Sequence, residues 1–411
     1  MEPTKASDVS DCRIDGLLDR ITQLPNPVLN LILCKVMDTR QVVKTMILSK
    51  SWQNLWAPVP YLCFHDRLQD FPGIVSFVNT VLQLRDPSDI HTFRVQWRHS
   101  VNAHRDHHLT NWAEHIVGHN IKVLELDIYA GEHAEEVMEF PHCIFTCQTL
   151  EELKLESDWM GAKLSPHTIV QLSRLKKLHL YGFCADSDSL KNLISGCPVL
   201  EDLKLEKCNL KDPEVSSDTL RQLIIESSDI TGIQLRISCP NLHYLSFFIN
   251  SVGWRVLLNW ENVSSVVEGT LRIDDYRGNR CFSVHVGRRP IFFDSLRKSK
   301  DDLPMFRSLK KRLKLYGKSN YSPIFCNLKR LKLYGQCMEQ NFVVVIYFLQ
   351  RSPNLELLTL QNGVDPQERE VRWYNCPHFK LKVIFDCNEE NERLGVLMEY
   401  YAYAYCNCDC P

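Results

Sequence analysis

Leucines recur in one hexad pattern along most of the chain: IKVLEL at 121, LEELKL at 150, LKKLHL at 175, LEDLKL at 200, LRQLII at 220, LHYLSF at 242, LKRLKL at 328 and LELLTL at 355. Within each hexad the apolar positions alternate with polar ones, the mark of a short strand with one buried face. Between the middle leucines the spacings are 29, 25, 25, 20 and 22 residues, then 86, then 27. A period of this size predicts stacked leucine-rich repeats, each sending its strand leucines into a shared core while the rest of the repeat returns the chain.

SDSLKNLISGCPVLEDLKL, 187–205, shows one whole unit. Leu190, Leu193 and Ile194 make a helical stripe, Gly196 and Pro198 end it, and the strand follows. FPGIVSFVNTVLQLRDPSDIHTFRVQW reads as an earlier unit, helix then strand, with Ile90, Phe93 and Val95 in register. The array is therefore expected to start without a flexible linker after the first sixty residues. Its signal weakens between 250 and 327, where TLRIDD near 270 reads as a degenerate strand. SLKKRLKLYG at 308 echoes LKRLKLYG at 328 with one residue too many, as a local duplication or an irregular loop would.

The first sixty residues follow a helical period instead. Asn26 is the natural N-cap and Pro27 the first helical position, after which Leu29, Ile32, Leu33 and Val36 form one stripe. A second helix from Asp38 or Thr39 places Val42, Val43, Met46 and Ile47 on one face. Ser49 caps a third, short helix with Trp52, Leu55 and Trp56, which Pro58 ends. Three short helices make too small a core to stand alone. Their apolar excess asks for a partner protein.

DRITQLPNPVLNLILCKVMDTRQVVKTMILSKSWQNLWAPVPYLCFHD, 19–66, resembles a plant F-box, and LISGCPVLEDLKLEKC, NWAEHIVGHNIKVLELDI and FLQRSPNLELLTL resemble the repeats and FBD segment of plant F-box/leucine-rich-repeat proteins. The resemblance departs at Asn26, Met37 and Ser51, where an acidic residue, a proline and an arginine are usual. It implies an α/β fold: a small all-helical F-box module followed by a leucine-rich-repeat solenoid with parallel strands on its concave face. The implied boundaries are a disordered leader at 1–16, the F-box at 17–62, the array at 63–365 and a divergent, truncated FBD-like tail at 366–411.

By the same resemblance the F-box docks on a Skp-type adaptor, and through it a cullin, in an SCF-type ubiquitin ligase whose target the repeats bind. The implied adaptor contacts are Leu24, Pro25, Leu29, Ile32, Leu33, Val42, Val43, Ile47, Leu48 and Trp52, with Trp56 packed inward. The alternative is a non-catalytic leucine-rich-repeat scaffold with a degenerate F-box.

Strand alternation sends the residues between the leucines to the concave face. Glu125, Asp127, Glu152, Glu156, His179, Tyr181, Glu206, Tyr244 and Phe248 are the candidate target contacts. Over six rows acids outnumber bases, which suggests a basic, partly aromatic target segment. An ordinary solvated face with recognition in the loops is the alternative.

Net charge is −2 over 411 residues, which gives no general argument for a nucleic-acid or membrane partner. The amino terminus has no secretory apolar segment and FVVVIYFL at 342–349 is too short to span a bilayer, so the expected location is nucleus or cytoplasm. Seventeen cysteines without one CxxC read as free, mostly buried thiols. His115 and His119 share helical spacing with the HExxH motif, but Ile116 stands where its Glu is required. HSVNAHRDHH at 99–108 reads as a loop, CNCDC at the end as a tail, and the basic stretch 287–318 as a solvated edge. No phosphate loop, dinucleotide motif or nucleophile elbow appears. No catalytic residue, metal or cofactor is expected.

Overall fold

The structure, a computed structural model, describes residues 21, 24–66, 73–98, 105–129, 138–157, 162–231, 234–250, 257–274, 283–285, 290–292, 325–334, 345, 348, 349, 351–361, 369–376 and 379–386. The leader, most of the basic stretch 287–318, the second copy at 308 and the terminal CNCDC lie outside the described residues.

Two helices come first, α1 (Asn26–Leu33) and α2 (Thr39–Lys44), followed by 3-10 turns at Thr45–Ile47 and Lys50–Trp52. Pro25, not Asn26, is the N-cap of α1, and no side chain caps it. Asp38 caps α2, accepting from the Arg40 N–H at 2.9 Å. The expected continuous face through Ile47 breaks at Lys44. There the Thr45 hydroxyl donates back to the Val42 carbonyl at 2.7 Å and the chain tightens into the 3-10 turn.

From Tyr61 onward one sheet dominates the architecture. Its strands are β1 (Tyr61–His65), β2 (Thr92–Trp97), β3 (Val123–Ile128), β4 (Glu152–Glu156), β6 (Lys177–Tyr181), β8 (Asp202–Glu206), β11 (Gln222–Thr231), β13 (Tyr244–Asn250), β15 (Glu268–Asp274), β18 (Arg330–Tyr334), β19 (Leu357–Gln361) and β21 (Phe379–Asp386). These run parallel in that order, and β20 (Arg369–Cys376) closes the end antiparallel to β21. The shorter strands β5 (Ala162–Lys163), β7 (Phe183–Asp186) and β9 (Asn209–Lys211) join it off the main path. β10 (Glu214–Ser216), β12 (Gln234–Ser238) and β14 (Leu257–Glu261) form a second sheet, and β16 (Ser283–His285) pairs with β17 (Pro290–Phe292).

Every hexad expected as a strand is one, and TLRIDD takes its place as β15, between β13 and β18. The sheet continues to Asp386, past the expected end of the array at 365. Helices α3 (Ile74–Leu84), α4 (Arg105–Val117), α5 (His142–Phe145) and α6 (Ser187–Ser195) return the chain between early strands. Arg105 to His108 belong to α4, so that part of the histidine-rich run is helical, and His108 stacks on Trp112.

The strand leucines alternate as their spacing requires: Leu124, Leu153, Leu178, Leu203, Leu223 and Leu245 are buried. Successive turns are tied by side chains that reach the previous repeat. Thr149, Thr219 and Ser265 hydroxyls donate to the carbonyls of Ile121, Leu200 and Leu242 at 2.7, 2.8 and 2.7 Å. Gly196 ends α6 in an ordinary helical conformation, and its need for glycine is space: a Cβ there would lie 2.5 Å from the Val170 carbonyl oxygen and Cγ1. Among the described residues no helix is long and apolar enough to cross a membrane.

Candidate functional site

Two surfaces carry the chemistry, and the first is the helical module. Leu29, Leu33, Val42, Trp52, Leu55 and Trp56 turn inward and join one apolar cluster with the strands of the array. Leu24 and Val43 are half-buried against that cluster, and Pro25 is exposed. Outward face Val28, Leu31 and Ile32, three residues at i, i+3, i+4 on α1, together with Met37, Met46, Ile47 and Leu48. Ile47 is 83% exposed. The implied contact set therefore divides: Ile32, Ile47 and Leu48 present apolar surface directly, whereas Leu29, Leu33, Val42 and Trp52 stand behind it.

Trp52 lies deeper than the outward residues. The resemblance puts it among the adaptor contacts, yet it is 4% exposed and Trp56 9%, so the chain itself covers both rings. Both rings belong to the apolar cluster that continues into the array, and the module is bonded directly to that array. The Asp86 N–H donates to the Ala57 carbonyl at 3.3 Å and the His91 N–H to the Pro60 carbonyl at 2.8 Å. The Arg40 guanidinium of α2 sits 4.6 Å from the Phe77 ring centre of α3, and Phe77 packs edge-on against Phe64 of β1.

The second surface is the exposed face of the long sheet. Parallel pairing in register sets Glu125, Lys154, His179, Lys204, Ile224 and Ser246 in one column. Asp127, Glu156, Tyr181, Glu206 and Glu226 form the next column toward the strands' carboxyl ends. Tyr244 aligns with Gln222 in the column on the other side.

The acids of this face are held by the chain's own cations. Glu125 pairs with Arg94 at 3.0 Å and Glu152 with Lys177 at 2.7 Å. Arg98 reaches both Asp127, at 2.5 Å, and Glu156, at 3.4 Å, while Lys154 meets Glu156 at 2.8 Å. His179 Nε2 lies 2.6 Å from Glu206, whose other oxygen is 3.1 Å from Lys204. Hydrogen bonds from His179 and Lys204 hold the Glu206 carboxyl down to about 2, and burial pushes Asp127 up despite the Arg98 hydrogen bond. The Arg98 guanidinium also lies 4.7 Å from the Tyr129 ring centre, and burial raises that phenol to about 12.

Arg94 and Arg98 were outside the sequence-derived set. Their signal was present: FRVQWR has the same alternation as the hexads, with Phe93 and Val95 in place of leucines, so it supplies one more row. A cavity of about 220 Å³ opens over the middle strands, with Lys154, Lys177, His179 and Lys204 among its lining.

Neither remaining cluster adds a reactive group. His115 and His119 stack at 4.5 Å, and burial lowers the His115 pKa. Among the described residues no group of three or more His, Cys, Asp or Glu side chains could hold a metal ion. Cys34, Cys63, Cys143, Cys147, Cys184, Cys197, Cys208, Cys239 and Cys326 are free thiols, and burial raises Cys197 and Cys208 to about 12 and Cys239 to about 11, the opposite of an activated thiol.

Residues 109–255 match the family described as FBD-associated F-box protein At5g56370, LRR repeats. Over 392 residues the chain is 29% identical to F-box/FBD/LRR-repeat protein At2g26030 of Arabidopsis thaliana, covering 91% of this chain and 86% of that one. FBD-associated F-box protein At4g13985 of the same plant is 28% identical, over 89% and 81% of the two chains, and F-box/LRR-repeat protein 13 is 28% identical, over 84% and 77%. The chain is thus similar to plant F-box/FBD/LRR-repeat proteins along most of its length. The outward residues of α1 and the first 3-10 turn lie in the segment that resembles an F-box, and most of the compensated ion-pair face lies within the residues that match the LRR-repeat family.

Proposed function

We propose that this F-box/LRR protein is the substrate-recognition subunit of an SCF-type cullin ubiquitin ligase. Its F-box docks on a Skp-type adaptor and its repeat array holds the target protein near the ligase, where proximity raises the rate of transfer. The chain supplies no chemistry of its own; it positions the reacting partners.

The observation that carries this reading is the apolar surface at Leu31, Ile32, Met37, Met46, Ile47 and Leu48. Large apolar side chains crowded outward within one short segment mark a protein interface. They belong to the segment that resembles an F-box, and buried Leu29, Leu33, Val42 and Trp52 support them from behind.

Co-purification with a Skp-type adaptor tests it. The full chain is expected to retain the adaptor, and Ile47→Asp with Leu48→Asp to lose it while unfolding at the same temperature. No retention by the unaltered chain would favour a scaffold with a degenerate F-box.

A further inference from the structure

We propose that the concave face from Arg98 to Ile224 takes an extended, acidic segment of the target protein, the reverse of what its acid-rich composition suggests. This rests on the substrate-receptor reading and specifies the partner of its array. The reason is vertical order within the ion pairs. Arg98 is 38% exposed over Asp127 at 16%, and Lys154 is 39% exposed over Glu156 at 12%. Lys177 over Glu152 and Lys204 over Glu206 follow the same order. Lysine and arginine are longer than the carboxylates, so on a sheet floor the acid lies beneath and the cation caps it. Above Asp127, Glu156 and Glu206 an approaching partner therefore meets ammonium and guanidinium groups before carboxylates.

Spacing adds to the charge argument. Lys154, His179, Lys204 and Ile224 fall on consecutive strands in one column. Adjacent strands lie about 4.8 Å apart, so the two lysines stand roughly 9.6 Å apart, close to one three-residue turn of an extended polyproline II chain at about 3.1 Å per residue, in which every third side chain returns to the same face. A peptide crossing the sheet with an acidic residue at every third position can therefore address Lys154 and Lys204 in turn, with an apolar side chain just beyond at Ile224. A nucleic-acid strand fits less well, because its unbroken phosphates would face Glu125 and Glu152, which remain partly exposed between the cations.

The test uses the full chain and a labelled twelve-residue peptide with Glu at every third position and Ser elsewhere, against the same peptide with Lys. The Glu peptide is expected to bind, more tightly at low salt, with the Lys peptide at least about tenfold weaker. The double variant Lys154→Gln/Lys204→Gln should weaken Glu-peptide binding by about tenfold. Its unfolding midpoint is expected to hold, since Glu156 keeps Arg98 and Glu206 keeps His179. Preference for the Lys peptide, binding of neither, or full binding by a folded double variant would overturn the proposal. A single-stranded DNA twelve-mer that binds as tightly through the same lysines would overturn the choice of a protein partner. Adaptor co-purification is a separate readout, so failure here leaves the F-box reading standing, and failure there leaves this one.

Discussion

Thr39 Oγ1 accepts the backbone N–H of Cys63 at 2.7 Å, inside the core. The bond joins the first residue of α2 to β1, a strand that among the described residues pairs only with β2 and would otherwise leave an open sheet edge. The helical module thus covers the first edge of the long sheet and is bonded to it, so that the direction of α1 is tied to that of the sheet.

Replacing that hydroxyl with a methyl keeps the shape and strands the Cys63 N–H. Thr39→Val is expected to destabilise the chain by about 1 to 3 kcal/mol, the cost of an unsatisfied buried donor. Urea unfolding followed by far-UV circular dichroism measures it, and a loss below about 0.5 kcal/mol would mean that the edge is held by packing alone.

Leu33 and Ile47 both come from the apolar pattern of the F-box, yet one is 1% exposed and the other stands outward. Leu33→Ala is expected to cost about 2 to 5 kcal/mol, a transfer loss plus a cavity. Ile47→Ala in the isolated chain should stay within about 0.5 kcal/mol of the parent. Equal losses at the two positions would show that Ile47 is covered in solution.

Much of this fold could be read from the leucine spacing, because a parallel strand buried on one face repeats with period two and cannot slip register without exposing its leucines. Even the degenerate β15 was readable, since Leu271 keeps its place in the core. The site was less so. The outward turn of Met46, Ile47 and Leu48 goes with the 3-10 tightening after Lys44, a local effect that helical periodicity cannot anticipate. The charge of the concave face depends on partners such as Arg98 and Glu156, 58 positions apart and brought together only by stacking.

Arg98 serves two carboxylates, and the Oδ1 atom of Asp127 is buried without a hydrogen bond. Arg98→Gln takes the cation from Asp127 and leaves Glu156 with Lys154 alone, so a loss of about 1 to 3 kcal/mol is expected near pH 7.5. Asp127 already has a folded pKa above its unfolded value, and the substitution raises it further by removing a lowering influence. Protonation then favours the folded state, so the deficit should shrink as pH falls toward 5. Denaturant midpoints at the two pH values measure this; a deficit that grows in acid would contradict it.

Glu206 has the opposite sign. Its folded pKa is depressed from 4.5 to about 2 by the His179 and Lys204 hydrogen bonds. The carboxylate therefore contributes stability that is fully present above pH 4.5 and lost as pH falls through about 2. After discounting for its partial exposure, the contribution is about 1 to 2 kcal/mol. Glu206→Gln should lower stability by that amount at pH 6 and come close to the parent near pH 2, where the folded carboxyl is half protonated and most of its stabilisation has gone. Acid unfolding curves for the two proteins would meet at the acid end, and a constant gap down to pH 2 would place the lost stability in packing instead of the ion pair.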